Sequence, residues 1–407
     1  MKKVQYIVTE RAHFMCPNMH FGIKARFKGN YSIEKIKETL EALENAHRFL
    51  KSKISAESTT GKLYYKYFDE LHIPIIERTD SSLWVKDYQA LTENGWDVFH
   101  ECLLKVISYP EENGFELLFA AHHLLADGRG ILSLICEFAS YYADGISPQY
   151  AEEQLIGTIR DLPKNSDLSM VNRIIINKAN RDWSRENHTV SYKEYQNFER
   201  AFIRNNPIGY TVETLEREKV DELNNICKEH NISLNDYLVA EMMCREKTNR
   251  IVIAIDIRKR IACYREGALG NYATAASIEN RNRLENVIET AKQVSGRIKQ
   301  RIGNTQKSMM ILACYLRLSH ELIDAAAIST LGGFQSKAGK FVGSLILGYE
   351  KRTGYSVTNL GNVENPNIEE AVFIPPASPA NRKTMGVLSI NRRMKKCTVF
   401  YENTKTE

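Results

Sequence analysis

The chain has 407 residues, 43% hydrophobic and 26% charged, with a formal net charge of +5. That is ordinary globular composition with enough length for two cores, and its longest apolar stretches are too short to cross a bilayer. The positive charge is spread along the chain instead of gathered on one basic face among aromatic platforms, which speaks against nucleic-acid binding. Met1-Lys2-Lys3 is basic but Thr9-Glu10-Arg11 is polar, so the start lacks the apolar core of a secretory signal, and a cytoplasmic protein is expected. The eight cysteines, Cys16, Cys102, Cys136, Cys227, Cys244, Cys263, Cys314 and Cys397, include no closely spaced pair, which argues for reduced core thiols over a zinc knuckle or redox pair. No metal and no tightly bound cofactor is expected.

Val4, Tyr6 and Val8 alternate, and Phe21, Ile23, Ala25 and Phe27 alternate with His20, Gly22, Lys24 and Arg26, which predicts strands between Lys3 and Lys28. Ser32 then caps a helix whose stripe is Ile33, Ile36, Leu40, Leu43 and Leu50. Short strands are predicted at 63–68, 73–77 and 103–108, the last joined through Glu111-Glu112-Asn113-Gly114 to the apolar run 115–121 as a hairpin. Ile131, Leu134, Ile135, Phe138 and Tyr142 then mark a helix that stops at Gly145.

The stretch 147–188 mixes prolines, asparagines and charges around a short run at 174–176 and reads as a linker. It divides the chain into subdomains at 1–165 and 180–407. A strand at 209–215, a helix through Val220, Leu223 and Ile226, and a second helix capped by Ser233 restart the pattern. The β-branched run 250–258 reads as a buried strand closed by Arg258, a cation that needs an acidic partner. Gly270-Asn271-Tyr272 is a turn, Val287 to Ile302 a long surface helix, and 308–331 helical. Strands are predicted at 344–347, 354–360, 371–374, 385–390 and 397–401. Mixed strands and helices in both halves predict an α/β (α+β, two-layer) fold.

Between the run 115–121 and the helix after it stands His122-His123-Leu124-Leu125-Ala126-Asp127-Gly128. An imidazole at a strand end is a candidate general base for a hydroxyl or amine, a carboxylate four residues later can pair with a cation, and glycine permits close backbone approach.

This segment resembles the HHxxxDG signature of the thioester-dependent acyltransferase superfamily that includes condensation domains, alcohol acetyltransferases and chloramphenicol acetyltransferase. Further segments are similar in the family's order: Ala46-His47-Arg48-Phe49-Leu50 within 41–53, the helices of 228–241, Ile255-Asp256-Ile257-Arg258 followed by Gly270-Asn271-Tyr272, and Tyr355-Ser356-Val357-Thr358-Asn359-Leu360-Gly361.

The resemblance implies two chloramphenicol acetyltransferase-like subdomains in a V, with His123 in a tunnel between them that admits one substrate from each face. It implies that His123 is the general base for attack on an acyl thioester and that Asp127 is structural, joined by a salt bridge to Arg258. His122 and Gly128 then support the turn, and Asn359, Asn271 and Tyr272 are candidates for substrate binding or the oxyanion. The donor is an acyl-CoA or a phosphopantetheinyl thioester and the acceptor a hydroxyl or an amine. The rival readings are a condensation enzyme using carrier-protein-bound substrates in trans, and a non-catalytic module of the same fold that binds carrier or partner proteins. Two other features carry less: Gly333 to Lys340 has the wrong spacing for a phosphate loop, and the clusters 258–260 and 392–396 read as solvated basic faces or as contacts for coenzyme A or an acidic carrier.

Overall fold

Hydrophobic alternation and good caps place the elements of the first half. The computed structural model describes residues 4–282, 286–349 and 354–402, so Met1, Lys2 and Lys3, where the first strand was expected to begin, lie outside the described residues. Strand β1 (His20–Phe27) leads to helix α1 (Ile33–Ala46), where Ser32 Oγ accepts from the Lys35 N–H at 3.1 Å as its N-cap. Then come β2 (Ser52–Ala56), β3 (Leu63–Tyr67), β4 (Ile75–Glu77), α2 (Trp84–Thr92), β5 (Leu104–Glu111), β6 (Gly114–His122) and α3 (Gly128–Asp144). The hairpin forms as the sequence predicts, with β5 and β6 antiparallel from Glu111 opposite Gly114 to Leu104 opposite Ala121.

Residues 4–8 are not a strand. Tyr6 makes one bridge to Tyr64, and Thr9–His13 is a short 3-10 helix. Thr9, Glu10 and Arg11 are buried there, and Arg11 pairs with Asp324 at 2.6 Å, more than 300 positions away, a contact that local alternation cannot reveal.

The second half runs through α4 (Met170–Glu186), α5 (Tyr192–Asn205), β7 (Ile208–Leu215), α6 (Arg217–Glu229), α7 (Leu234–Glu246), β8 (Arg250–Asp256), β9 (Ala273–Glu279), α8 (Val287–Gly303), α9 (Thr305–Tyr315), α10 (His320–Thr330), α11 (Lys337–Val342), β10 (Gly354–Val363), β11 (Ile368–Ile374), β12 (Asn381–Ile390) and β13 (Arg393–Tyr401). The stretch expected to be a linker thus contains α4. Its buried stripe is narrow, only Ile176, Ala179 and Trp183, so a high share of polar residues hides the helical period. Residues Gly343–Leu347 form a π-helical turn where a strand was expected. Strand β8 ends at Asp256, before Arg258, and is buried on one face only.

Two large mixed α/β layers result. One sheet has the order β11-β1-β6-β5-β4, with β6 central and all nine of its residues buried; the other has the order β7-β13-β12-β10-β8-β9. A division at 1–165 and 180–407 does not account for β11. That strand leaves the second half and pairs with β1 from Gly22 opposite Ile374 to Phe27 opposite Ile368. It covers an edge of the first sheet that would otherwise present unpaired backbone groups. All eight cysteines are free thiols, and six are buried. Among the described residues no helix is long and apolar enough to cross a membrane.

Candidate active site

The central strand β6 delivers His122 and His123 at its end, and the turn after it is tied to the second half. Asp127 is the N-cap of α3: its Oδ1 accepts from the Gly130 N–H at 3.0 Å and from Arg258 Nη2 at 2.5 Å, while Oδ2 accepts from the Tyr272 N–H at 2.8 Å. Its own N–H donates to the Gly270 carbonyl at 3.2 Å. The carboxylate therefore joins the start of α3 to the segment between β8 and β9. Arg258 is largely buried and also donates to Asp256 Oδ1 at 3.1 Å. Burial works against its charge, but Asp127 and then Asp256 outweigh burial and raise its pKa above the ordinary guanidinium value.

Gly128 works by close approach. Its φ is not positive; a Cβ there would stand 3.0 Å from Leu360 Cδ2 and 3.2 Å from Phe373 Cε2, so β10 and β11 pack directly on the helix start. Gly270 does need glycine's backbone, with φ +148°.

His122 is buried. Its Nδ1 accepts from the Leu124 N–H at 3.1 Å and its ring packs edge-on to Trp96, while the facing residue on β1 is His20. Burial first, and then neighbouring histidines and Lys105, push its pKa well down; the same causes hold His20 at about 3. Both are neutral packing residues.

His123 has a different environment. The residue is partly exposed, and its backbone N–H donates to the Met19 carbonyl at 2.9 Å. The Asn271 amide grips it twice: Nδ2 donates to the His123 carbonyl, and Oδ1 faces His123 Nδ1 at 3.2 Å. Because only the NH₂ end of an amide can serve a carbonyl, the end facing the ring is the oxygen. Nδ1 therefore carries the proton and Nε2 carries a lone pair, with no partner among the described residues. Burial holds the pKa of His123 below the ordinary 6.5, against the opposing pulls of the Asn271 hydrogen bond and the Asp127 charge. A neutral imidazole with an open Nε2 is the form a general base requires.

The remaining candidates fall in two places. Asn271 holds His123, and Tyr272 is fully buried with its hydroxyl donating to the Gln154 carbonyl at 2.8 Å, so both side chains make contacts within the chain. Asn359 is partly exposed on β10, beside the Leu360 that packs on Gly128; its Oδ1 accepts from the Gly361 N–H at 2.8 Å, and its NH₂ has no partner among the described residues.

The basic run 392–396 is spent on carboxylates: Arg392 on Asp221, Arg393 on Glu216 and Glu370, Lys395 on Glu370, and Lys396 on Glu241. In the run 258–260, Arg258 is held as described and Arg260 donates to Ser308 and Thr305.

One residue of the site carries no sequence signal. His13, at the end of the 3-10 helix, stacks on His123 with ring centroids 4.8 Å apart and planes at 25°. Phe21 of β1 packs against the same imidazole at 4.7 Å. A lone histidine after Thr-Glu-Arg-Ala matches no motif.

No family model matches the chain, and no curated protein is similar to it in sequence. The likeness is in the fold. Trichothecene 15-O-acetyltransferase from Fusarium sporotrichioides superposes with a TM-score of 0.65 at 11% identity, over 99% of this chain and 91% of that one. The condensation domain of the monacolin K polyketide synthase gives 0.61 at 10% identity, over 99% and 93%. Polyketide synthase associated protein 5 from Mycobacterium tuberculosis gives 0.57 at 16% identity, over 99% and 93%. The chain thus has the two-lobed fold shared by condensation domains and chloramphenicol acetyltransferase-like acyltransferases.

Proposed function

We propose that this protein is a free-standing acyltransferase that moves an acyl group from a thioester, an acyl-CoA or an acyl-carrier protein, to a hydroxyl or amine acceptor. The observation that carries the reading is the state of His123: neutral, gripped through Nδ1 by Asn271, and open at Nε2. In the step that follows, Nε2 takes the proton of the acceptor as its oxygen or nitrogen attacks the thioester carbonyl. The tetrahedral intermediate then expels the thiolate, which recovers that proton from the imidazolium. Asp127 and Arg258 fix the turn and do not touch the reacting atoms, and the NH₂ of Asn359 is a candidate donor to the oxyanion.

The test incubates the protein with acyl-CoAs of graded chain length, alcohol and amine acceptors, and a thiol reagent. The wild type releases thiol in an acceptor-dependent way, and His123→Ala loses roughly 100- to 10,000-fold in rate while keeping its far-UV spectrum. Undiminished turnover in that variant would remove His123 as the base. The likeness to synthase domains favours, as second reading, a condensation enzyme whose substrates ride on carrier proteins in trans. Release from acyl-pantetheinyl carrier protein but from no acyl-CoA would select it. Binding of a carrier protein without release under any acceptor would select a non-catalytic module.

A further inference from the structure

His13 and His123 lie face to face, and the surroundings of each ring fix where its proton sits. For His123 the Asn271 oxygen places hydrogen on Nδ1 and leaves a lone pair on Nε2. For His13 the buried atom is Nδ1, which has no hydrogen-bond partner among the described residues. A buried N–H without an acceptor costs more than a buried lone pair without a donor, so Nδ1 bears the lone pair and the proton is on Nε2. His13 and His123 are both partly exposed, and neither Nε2 is among the buried side-chain atoms left without a partner, so each ring keeps its Nε2 edge accessible. Burial, and then the nearness of His123, hold the pKa of His13 well below the ordinary value, and the ring is neutral.

We infer that His13 is a second imidazole of the reacting site, a neutral donor that hydrogen-bonds through Nε2–H to the thioester carbonyl oxygen while His123 Nε2 takes the proton of the acceptor. The two stacked rings are opposite tautomers, one an acceptor and one a donor, and attack on a carbonyl needs one of each: a base for the nucleophile and a donor for the oxygen that gains charge. A ring needed only for packing would be better served by phenylalanine, which has no buried nitrogen to leave unpartnered. The 3-10 helix holds His13 in position, because Arg11 donates through Nε and Nη2 to both carboxylate oxygens of Asp324 on α10, at 2.8 and 2.6 Å. The inference rests on the reading of His123 as the base.

Two measurements test it. Long-range 1H–15N correlation spectra at pH 7, with His13→Phe and His123→Ala assigning the signals, need no substrate. They should show His13 as the Nε2–H tautomer and His123 as the Nδ1–H tautomer, and a protonated or Nδ1–H His13 would overturn the inference. In the thiol-release assay, with the acyl-CoA of highest wild-type turnover, His13→Phe keeps the stack but removes the donor. A fall in kcat of roughly 100- to 1,000-fold is expected, with KM for the acyl-CoA within about threefold. His13→Gln, which restores an N–H at similar reach, should recover at least about tenfold of that loss. Wild-type turnover in His13→Phe, or no recovery in His13→Gln, would leave His13 a packing residue. If His123→Ala stays active, the base reading fails by itself; if only the His13 variants are silent, the base reading stands and the donor falls.

Discussion

His123 and His47 belong to the same packed region and are opposites in chemistry. His47 follows α1 and is buried between two carboxylates, with Nε2 2.7 Å from Glu137 of α3 and Nδ1 3.7 Å from Glu153. Burial lowers its affinity for a proton, but the two glutamates more than offset this and raise its pKa to about 9. It is an imidazolium across the neutral range and has no basic nitrogen to offer. His123 has an amide, a second imidazole and a phenyl ring as neighbours, and stays neutral. The partners a fold supplies, and not the residue type, decide whether a histidine braces the structure or handles protons.

The contrast can be broken at several points. The largest structural effect is expected at Asp127, the bracket that keeps the His123 turn against Asn271. Asp127→Ala leaves Arg258 with Asp256 alone and frees the Tyr272 N–H, and should cost about 3 to 5 kcal/mol in chemical unfolding. A loss under about 1 kcal/mol would show that Asp256 is partner enough.

The His47 side has a pH signature. Its folded pKa of about 9 exceeds the ordinary 6.5, so its stabilisation is complete below pH 6.5 and is lost as pH rises through 9. That window corresponds to about 3 kcal/mol. The melting temperature of the wild type should fall more steeply between pH 6.5 and 9 than that of His47→Gln, and parallel curves would acquit His47.

A smaller effect sharpens the other side. Gly128→Ala forces a methyl against Leu360 and Phe373 and should cost about 1 to 3 kcal/mol, with activity reduced because the same contact fixes the turn carrying His123. Unchanged stability would mean that β10 and β11 yield without strain.

Features governed by neighbours along the chain are legible in the sequence. The Ser32 and Ser233 caps, the hairpin into β6 and the helix stop at Gly145 all depend on groups a few positions apart, and all four form. The motif residues 122–128 are legible for the same reason, and Arg258 announces its need for a carboxylate because a cation beside an apolar strand has few alternatives. Helix α4 escapes a periodicity reading because its buried stripe is three residues wide. Residues 4–8 mislead it because alternation alone does not make a strand without a partner.

The sequence by itself determined the periodic elements, their caps and the chemical types at the end of β6. Only the tertiary structure decided that β11 returns to the first sheet, that the amide of Asn271 faces His123, that two glutamates enclose His47, and that His13 lies over His123. Each of these joins groups tens to hundreds of positions apart. Periodicity and capping act over a few residues, whereas a proton's location depends on whichever polar atoms the packed core brings within about 3 Å.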